Sequence, residues 1–144
     1  MQIIEPKTVA DFEAYYRLRW EVLRAPWGKP VGSEKDEQEN ESIHALLLDE
    51  NKNALAVCRL QLNTPEIAQL RFMGVRESGQ KTGAGKKIIS HLEKIAREKG
   101  AEKIILHARE NAVGFYQKQG YSITEKSYLM WGEIQHYLME KKLV

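Results

Sequence analysis

The stretch Gln80-Lys-Thr-Gly-Ala-Gly-Lys-Lys87 lies between an apolar run that ends at Val75 and a helical pattern that begins near Gly83. It therefore reads as a strand-to-helix turn. Glycines at 83 and 85 let the backbone turn tightly and approach a ligand with no Cβ in the way, and the first free N–H groups of the helix point out of its N-terminus. Lys81, Lys86 and Lys87 add charge to the positive end of the helix dipole, so the turn suits a phosphate or pyrophosphate.

Spacing sorts the phosphate-binding motifs that share this look. A triphosphate loop, G-x-x-x-x-G-K-[ST], would need Gly at 80 and Ser or Thr at 87, where Gln80 and Lys87 stand. A dinucleotide fingerprint starting at Gly83 would need a third glycine at Ile88. A turn with two glycines and no ligand stays open at this point.

Working outward, Ile88, Ile89, Leu92, Ile95 and Ala96 form one apolar stripe on a helix from Gly83 to Lys99, which Gly100 ends. Lys103 to His107 is a compact apolar strand. Strand, glycine turn, helix, strand is a crossover unit, which places Ile67 to Val75 and Lys103 to His107 parallel in one sheet. Upstream, Gln2 to Glu5 reads as a short strand, and Thr8 with Asp11 as a capping box opening a helix that runs to Pro26. Arg19 sits on the apolar face of that helix, as a rim residue with a wet head or as a weak site candidate. Ser42 to Leu48 and Ala54 to Leu62 form an antiparallel hairpin with Cys58 as a small core residue. Tyr121 to Tyr128 and His136 to Lys141 read as closing strands.

Between them, Ala25 to Glu41 has no periodicity. It carries Glu34, Asp36, Glu37, Glu39 and Glu41, read either as solvated surface or as a lip that attracts a cationic acceptor.

The composition fits one domain of an ordinary globular protein: 144 residues, 42% hydrophobic, 29% charged, net charge +2. That charge is too small to argue for nucleic acid, and no apolar run approaches the roughly 20 residues that span a bilayer. With one cysteine and no basic-then-apolar leader, the expectation is a cytoplasmic protein without membrane partners. No Cys/His cluster suggests a metal.

Two motifs together carry a resemblance. Gln80, Gly83 and Gly85 match Q/R-x-x-G-x-G/A, and Ala112-Val-Gly-Phe-Tyr-Gln-Lys-Gln-Gly-Tyr121 looks like A-x-x-F-Y-x-x-x-G-[FY]. Both are signatures of the GNAT superfamily of N-acetyltransferases, and the match covers Ile67 to Tyr121. The resemblance implies an α/β fold: a mixed, mostly antiparallel sheet with a central splayed parallel strand pair, flanked by helices. It implies direct transfer of an acetyl group from acetyl-CoA, as co-substrate and without a metal, to a primary amine of a small molecule or peptide. Carried over by position, Met73, Gly74 and Val75 meet the pantetheine arm and acetyl group, and Gln80, Lys81, Thr82, Gly83, Ala84, Gly85 and Lys86 hold the pyrophosphate. Tyr116 falls where the family places a general acid.

The chain departs from the family pattern in two places. Where many relatives have an asparagine before the second motif this chain has Arg109, with Asn111 nearby but out of phase. Where some relatives have a glutamate on the strand before the loop it has Gln69 and Arg71, neither a useful base at neutral pH. His136 is the preferred base, because Trp-Gly-Glu-Ile-Gln-His resembles a stretch some members carry at the acceptor side; Glu133 and His107 are further candidates. The acceptor and the oligomeric state, a homodimer among the options, are left open. A coenzyme A-sensing module without turnover is the alternative function.

Overall fold

The computed structural model describes residues 1–144 and opens with strand β1 (Gln2–Ile4) and helix α1 (Val9–Leu23). The capping box is formed in full: Thr8 Oγ1 accepts from the Asp11 N–H at 3.0 Å, and Asp11 Oδ2 accepts from the Thr8 N–H at 3.3 Å. A 3-10 turn over Ala25–Trp27, with Pro26 inside it, takes the chain away from the helix axis.

Strands β2 (Ile43–Leu48) and β3 (Ala54–Leu62) pair antiparallel, as do β3 and β4 (Ile67–Val75). Helix α2 (Ala84–Glu98) then crosses over to β5 (Lys103–Arg109), which runs parallel to β4. A short helix α3 (Val113–Lys118) precedes the antiparallel strands β6 (Ser122–Met130) and β7 (Ile134–Lys142). The result is one seven-stranded sheet, β1-β2-β3-β4-β5-β7-β6, in which β4 and β5 are the parallel pair. This is the mixed, mostly antiparallel fold expected. No helix is long and apolar enough to cross a membrane.

Side chains of β2 and β3 face two helices, which is why these strands are apolar on both faces. Leu46 and Val57 pack with Tyr15 and Leu18 of α1. Ala45, Leu47, Cys58 and Leu60 pack with Ile88, Ile89 and Leu92 of α2, the stripe read from periodicity. Gly74 lets α1 lie close to β4, since a Cβ there would meet Val22 at 3.4 Å.

Three expectations are corrected. Strand β5 continues past His107 to Arg109, and β7 begins at Ile134, two residues before His136, because β6 and β7 pair through a turn at Trp131 and Gly132. Arg19 is neither a rim residue nor a site residue: its side chain is 0% exposed and donates to Glu39 (2.9 Å), the Tyr15 hydroxyl (2.8 Å) and the Glu34 carbonyl (3.1 Å). Within the acidic stretch Glu37 and Glu41 are exposed, as solvated surface would be, but Glu34, Asp36 and Glu39 are not. Two of its carboxylates turn inward onto buried guanidiniums, with Asp36 gripping Arg59 through both oxygens at 2.7 and 3.0 Å, and Glu39 bridging Arg19 and Arg59. Burial raises the Asp36 carboxyl, but the Arg59 hydrogen bonds outweigh it and hold Asp36 at about 2.

Candidate active site

The parallel pair is short. Ile67, Ala68 and Gln69 pair with Lys103, Ile104 and Ile105; beyond Gln69 the two strands part, although β4 runs six residues further. The cause lies on β4's other edge. Its register with β3 passes from Arg59↔Arg71 to Val57↔Gly74, so Phe72 and Met73 together oppose Cys58. This is a β-bulge, and Phe72 takes φ +54° within it. A bulge bends its strand, so β4 turns away while β5 continues flat against β7, pairing as far as Arg109↔His136. The backbone edge of β4 is left open toward β5.

Between the strands lies a cavity of about 340 Å³. Met73, Ala112 and Tyr116 line it, as do Tyr128, Met130 and His136 from the terminal hairpin, and Leu23 and Arg24 from the end of α1. Arg71, His107 and Arg109 complete its polar wall. Three residues expected at the site, Met73, Tyr116 and His136, are thus brought together from β4, α3 and β7.

Tyr116 is buried, and burial pushes its hydroxyl far above the ordinary phenol value, so it keeps its proton at neutral pH. That hydroxyl has no hydrogen-bond partner in the protein, and Tyr116 lines the cavity. His136 is 3% exposed, stacked on Tyr128 with centroids 4.3 Å apart. Its Nδ1 lies 3.0 Å from the Ile134 carbonyl, and because a carbonyl only accepts, Nδ1 carries the proton and Nε2 is left with a free lone pair. Burial lowers its pKa, the Ile134 hydrogen bond opposes this, and nearby Arg109 lowers it further, so the ring is neutral at pH 7. His107 also lines the cavity, its Nδ1 bonded to Ser127 Oγ at 3.0 Å. Glu133 is exposed in the β6–β7 turn, outside the cavity lining.

The glycine loop sits just past the open end of β4. Gln80, Lys81, Thr82, Gly83 and Lys86 are exposed, and Gly83 caps α2 with φ +87°, a conformation that costs L-residues. The backbone N–H groups of Lys81, Gly83, Gly85 and Lys86 donate to no protein acceptor. Four unpaired donors at the positive end of a helix, beside exposed lysines, form a concave anion cradle.

The structure separates the two glycines that the sequence treats alike. Around Gly83 there is open space, whereas a Cβ on Gly85 would lie 3.0 Å from Met73 Cε and 3.1 Å from Phe115 Cζ, so Gly85 is first a packing glycine. Ala84 is buried beneath the loop, Val75 leads into it outside the cavity lining, and Asn111 is exposed and also outside that lining, although its neighbour Ala112 in the same 3-10 turn belongs to it. Gly79, which carried no motif signal, anchors the loop: a Cβ there would come within 2.7 Å of Leu55. Arg24 and Phe72 are cavity residues that sequence reasoning missed, since each is one apolar-neighboured residue with no spacing cue.

A parallel strand pair opened on one side, ending at an N–H-lined loop, defines an α/β protein with an open sheet edge beside an anion cradle. More specifically, this chain belongs to the GNAT family of acetyltransferases: the model described as "Acetyltransferase (GNAT) family" matches residues 12–121. A Bacillus subtilis relative named "Uncharacterized N-acetyltransferase YjcF" is 36% identical over 98% of this chain and 99% of its own. Among solved structures, an aminoglycoside 6'-N-acetyltransferase complexed with coenzyme A superposes with a TM-score of 0.84 at 17% identity, covering 100% of this chain and 98% of that one. Escherichia coli ElaA superposes at 0.82 and 19% identity, over 97% of both chains. At such identities the structural likenesses speak for the fold.

Proposed function

We propose that the protein transfers an acetyl group from acetyl-CoA directly to a primary amine of a small molecule or peptide. The observation that carries this reading is the opening of β4 from β5 after Gln69, next to a loop with four unpaired N–H groups. Acetyl-CoA supplies an activated thioester.

The chain's own residues supply binding and proton handling. The N–H groups of Lys81, Gly83, Gly85 and Lys86 and the ammoniums of Lys81 and Lys86 hold the pyrophosphate, while the open edge at Met73 and Gly74 takes the pantetheine arm as an added strand. Backbone N–H groups near Val75 stabilise negative charge developing on the carbonyl oxygen. His136 Nε2 accepts the proton of the attacking amine, and the Tyr116 hydroxyl gives one to the departing thiolate.

The test is calorimetry with acetyl-CoA followed by thiol release against a panel of amines. Saturable binding and amine-dependent release support the reading. Binding without release would reduce the protein to a coenzyme A-sensing module, and no binding would leave the loop as a turn.

A further inference from the structure

No carboxylate lines the cavity, yet three arginines and two histidines do. Arg71 reaches Asp36 at 3.5 Å, but neither Arg24 nor Arg109 takes part in any ion pair. Arg24 is only 8% exposed. Its Nη1 and the Nη2 of Arg109 each donate at 3.0 Å to one shared acceptor, the Leu23 carbonyl, so two cations are fastened side by side. Trp27 stacks 4.5 Å from the Arg109 guanidinium and Trp131 5.2 Å from that of Arg24, fixing both groups.

Donors remain unspent on both. Arg24 Nη2 and Arg109 Nε and Nη1 have no protein acceptor, and none is sealed as Arg19, Arg59 and Arg76 Nε are. Two nearby carboxylates are committed elsewhere, Glu39 to Arg19 and Arg59 and Asp36 to Arg59 and Arg71, while Glu34, hydrogen-bonded by the Gly32 N–H at 2.7 Å, acts on Arg24 only from a distance and forms no ion pair with it. Burial, and then the Arg24 charge, holds Arg109 below the usual guanidinium value, as expected where a second cation stands close and no anion does.

We infer that the acceptor is an amine carrying a carboxylate, which Arg24 and Arg109 grip while its amine faces His136. The inference rests on the proposed transfer reaction and names its substrate class. Arg109 and His136 are direct partners across β5 and β7, so their side chains leave the same face of the sheet side by side and both reach the cavity, where one acceptor can meet both. The planar fork of arginine matches a carboxylate through two parallel hydrogen bonds. Polycationic amines meet repulsion from the same pair.

The experiment compares matched acceptors in the thiol-release assay: amino acids, their amides, the corresponding decarboxylated amines, and phosphoethanolamine against ethanolamine. The carboxylate-bearing member should be preferred by about 10- to 100-fold in kcat/KM, the usual worth of a hydrogen bond to a charged group. Arg109→Gln should erase that preference with acetyl-CoA affinity unchanged, and Arg109→Lys should keep part of it; melting curves confirm that both variants fold. Preference for polyamines or phosphoethanolamine, a preference that survives Arg109→Gln, or an equal loss of acetyl-CoA affinity would overturn the assignment. A second readout is independent of turnover: Trp27 and Trp131 fluorescence should respond to N-acetylglycine in the wild-type protein and not to N-acetylglycinamide. Turnover of carboxylate-free amines alone sinks the inference and spares the transferase. A carboxylate-dependent fluorescence change without thiol release does the reverse.

Discussion

Replacing Glu39 by alanine removes the carboxylate that ties the acidic segment to the sheet. Glu39 Oε2 receives hydrogen bonds from Arg19 Nη1 at 2.9 Å, Arg59 Nη1 at 2.8 Å and the Asp36 N–H at 3.1 Å, and its side chain is 10% exposed. In the variant Arg59 keeps both Asp36 oxygens, so it remains paired. Arg19 keeps only the Tyr15 hydroxyl and the Glu34 carbonyl, neither a counter-charge. The loss is therefore one orphaned buried cation, about 3–5 kcal/mol. At this chain length each kcal/mol moves Tm by about 2–4 °C, so melting should fall by roughly 6–20 °C.

Urea titration gives the same quantity as a shift in midpoint at constant slope. Arg19→Met combined with Glu39→Leu removes both charges and should recover most of the loss, because an apolar pair of similar volume replaces a buried ion pair at little cost. A change below about 0.5 kcal/mol for Glu39→Ala, the value for an exposed side chain, would refute the reasoning. Acid adds a sign: Asp36 is held low in the folded state, so its stabilising contribution is full above about pH 4, the ordinary carboxylate range, and fades as pH falls toward about 2.

Tyr116→Phe keeps the ring and removes the proton donor, so turnover should fall about 100-fold or more while acetyl-CoA affinity in calorimetry stays constant; near-wild-type turnover would remove Tyr116 from the mechanism. His136 is an unprotonated base only above a pKa that burial lowers below 6.5, so kcat/KM should rise with pH through a limb below 6.5 and be level above it. His136→Gln should abolish that limb, and its persistence would assign it to another group. Gly83→Ala adds only the strain of φ +87°, whereas Gly83→Asp also puts a negative charge into the N–H cradle. Calorimetry should therefore show at least a tenfold weaker affinity for the aspartate than for the alanine variant, and equal affinities would detach the loop from pyrophosphate binding.

What the sequence made legible is what local chemistry decides. Thr8 and Asp11 announce α1 because the capping box closes within one turn, and the 88, 89, 92, 96 stripe announces α2 because a helix repeats every 3.6 residues. The glycine loop was legible as a strand-to-helix turn for the same reason, whereas the left-handed conformation of Gly83 and the packing role of Gly85 were not told apart. The ion cluster was not, since Asp36 and Arg59 are 23 residues apart and meet only once β3 is paired and the loop folded over it. Nor was the bulge at Phe72: a left-handed phenylalanine has no compositional cue, and without the bulge the β4–β5 pair would have no reason to part after Gln69. Arg24 and Arg109 were opaque because their shared acceptor is a backbone carbonyl, to which any residue type could have contributed.

Phe72 connects the two halves of this chemistry. Its ring lies 4.3 Å from the Arg19 guanidinium and 4.8 Å from that of Arg59, and 4.9 Å from Arg71 and 5.7 Å from Arg24. Arg19 and Arg59 belong to the cluster closed by Glu39 and Asp36; Arg24 and Arg71 line the cavity. The same ring that fills the bulge thus stands between the ion-paired cluster, to which Asp36 also ties Arg71, and Arg24, which has no ion pair. Were the acidic segment free to swing, its carboxylates would cancel the field that Arg24 and Arg109 place in the cavity. Committed to Arg19 and Arg59, they hold the α1 and β3 side of the bulge in place and leave the cavity cationic. The negative segment next to the site therefore argues for an anionic acceptor, the opposite of what its net charge suggests when read as a string of residues.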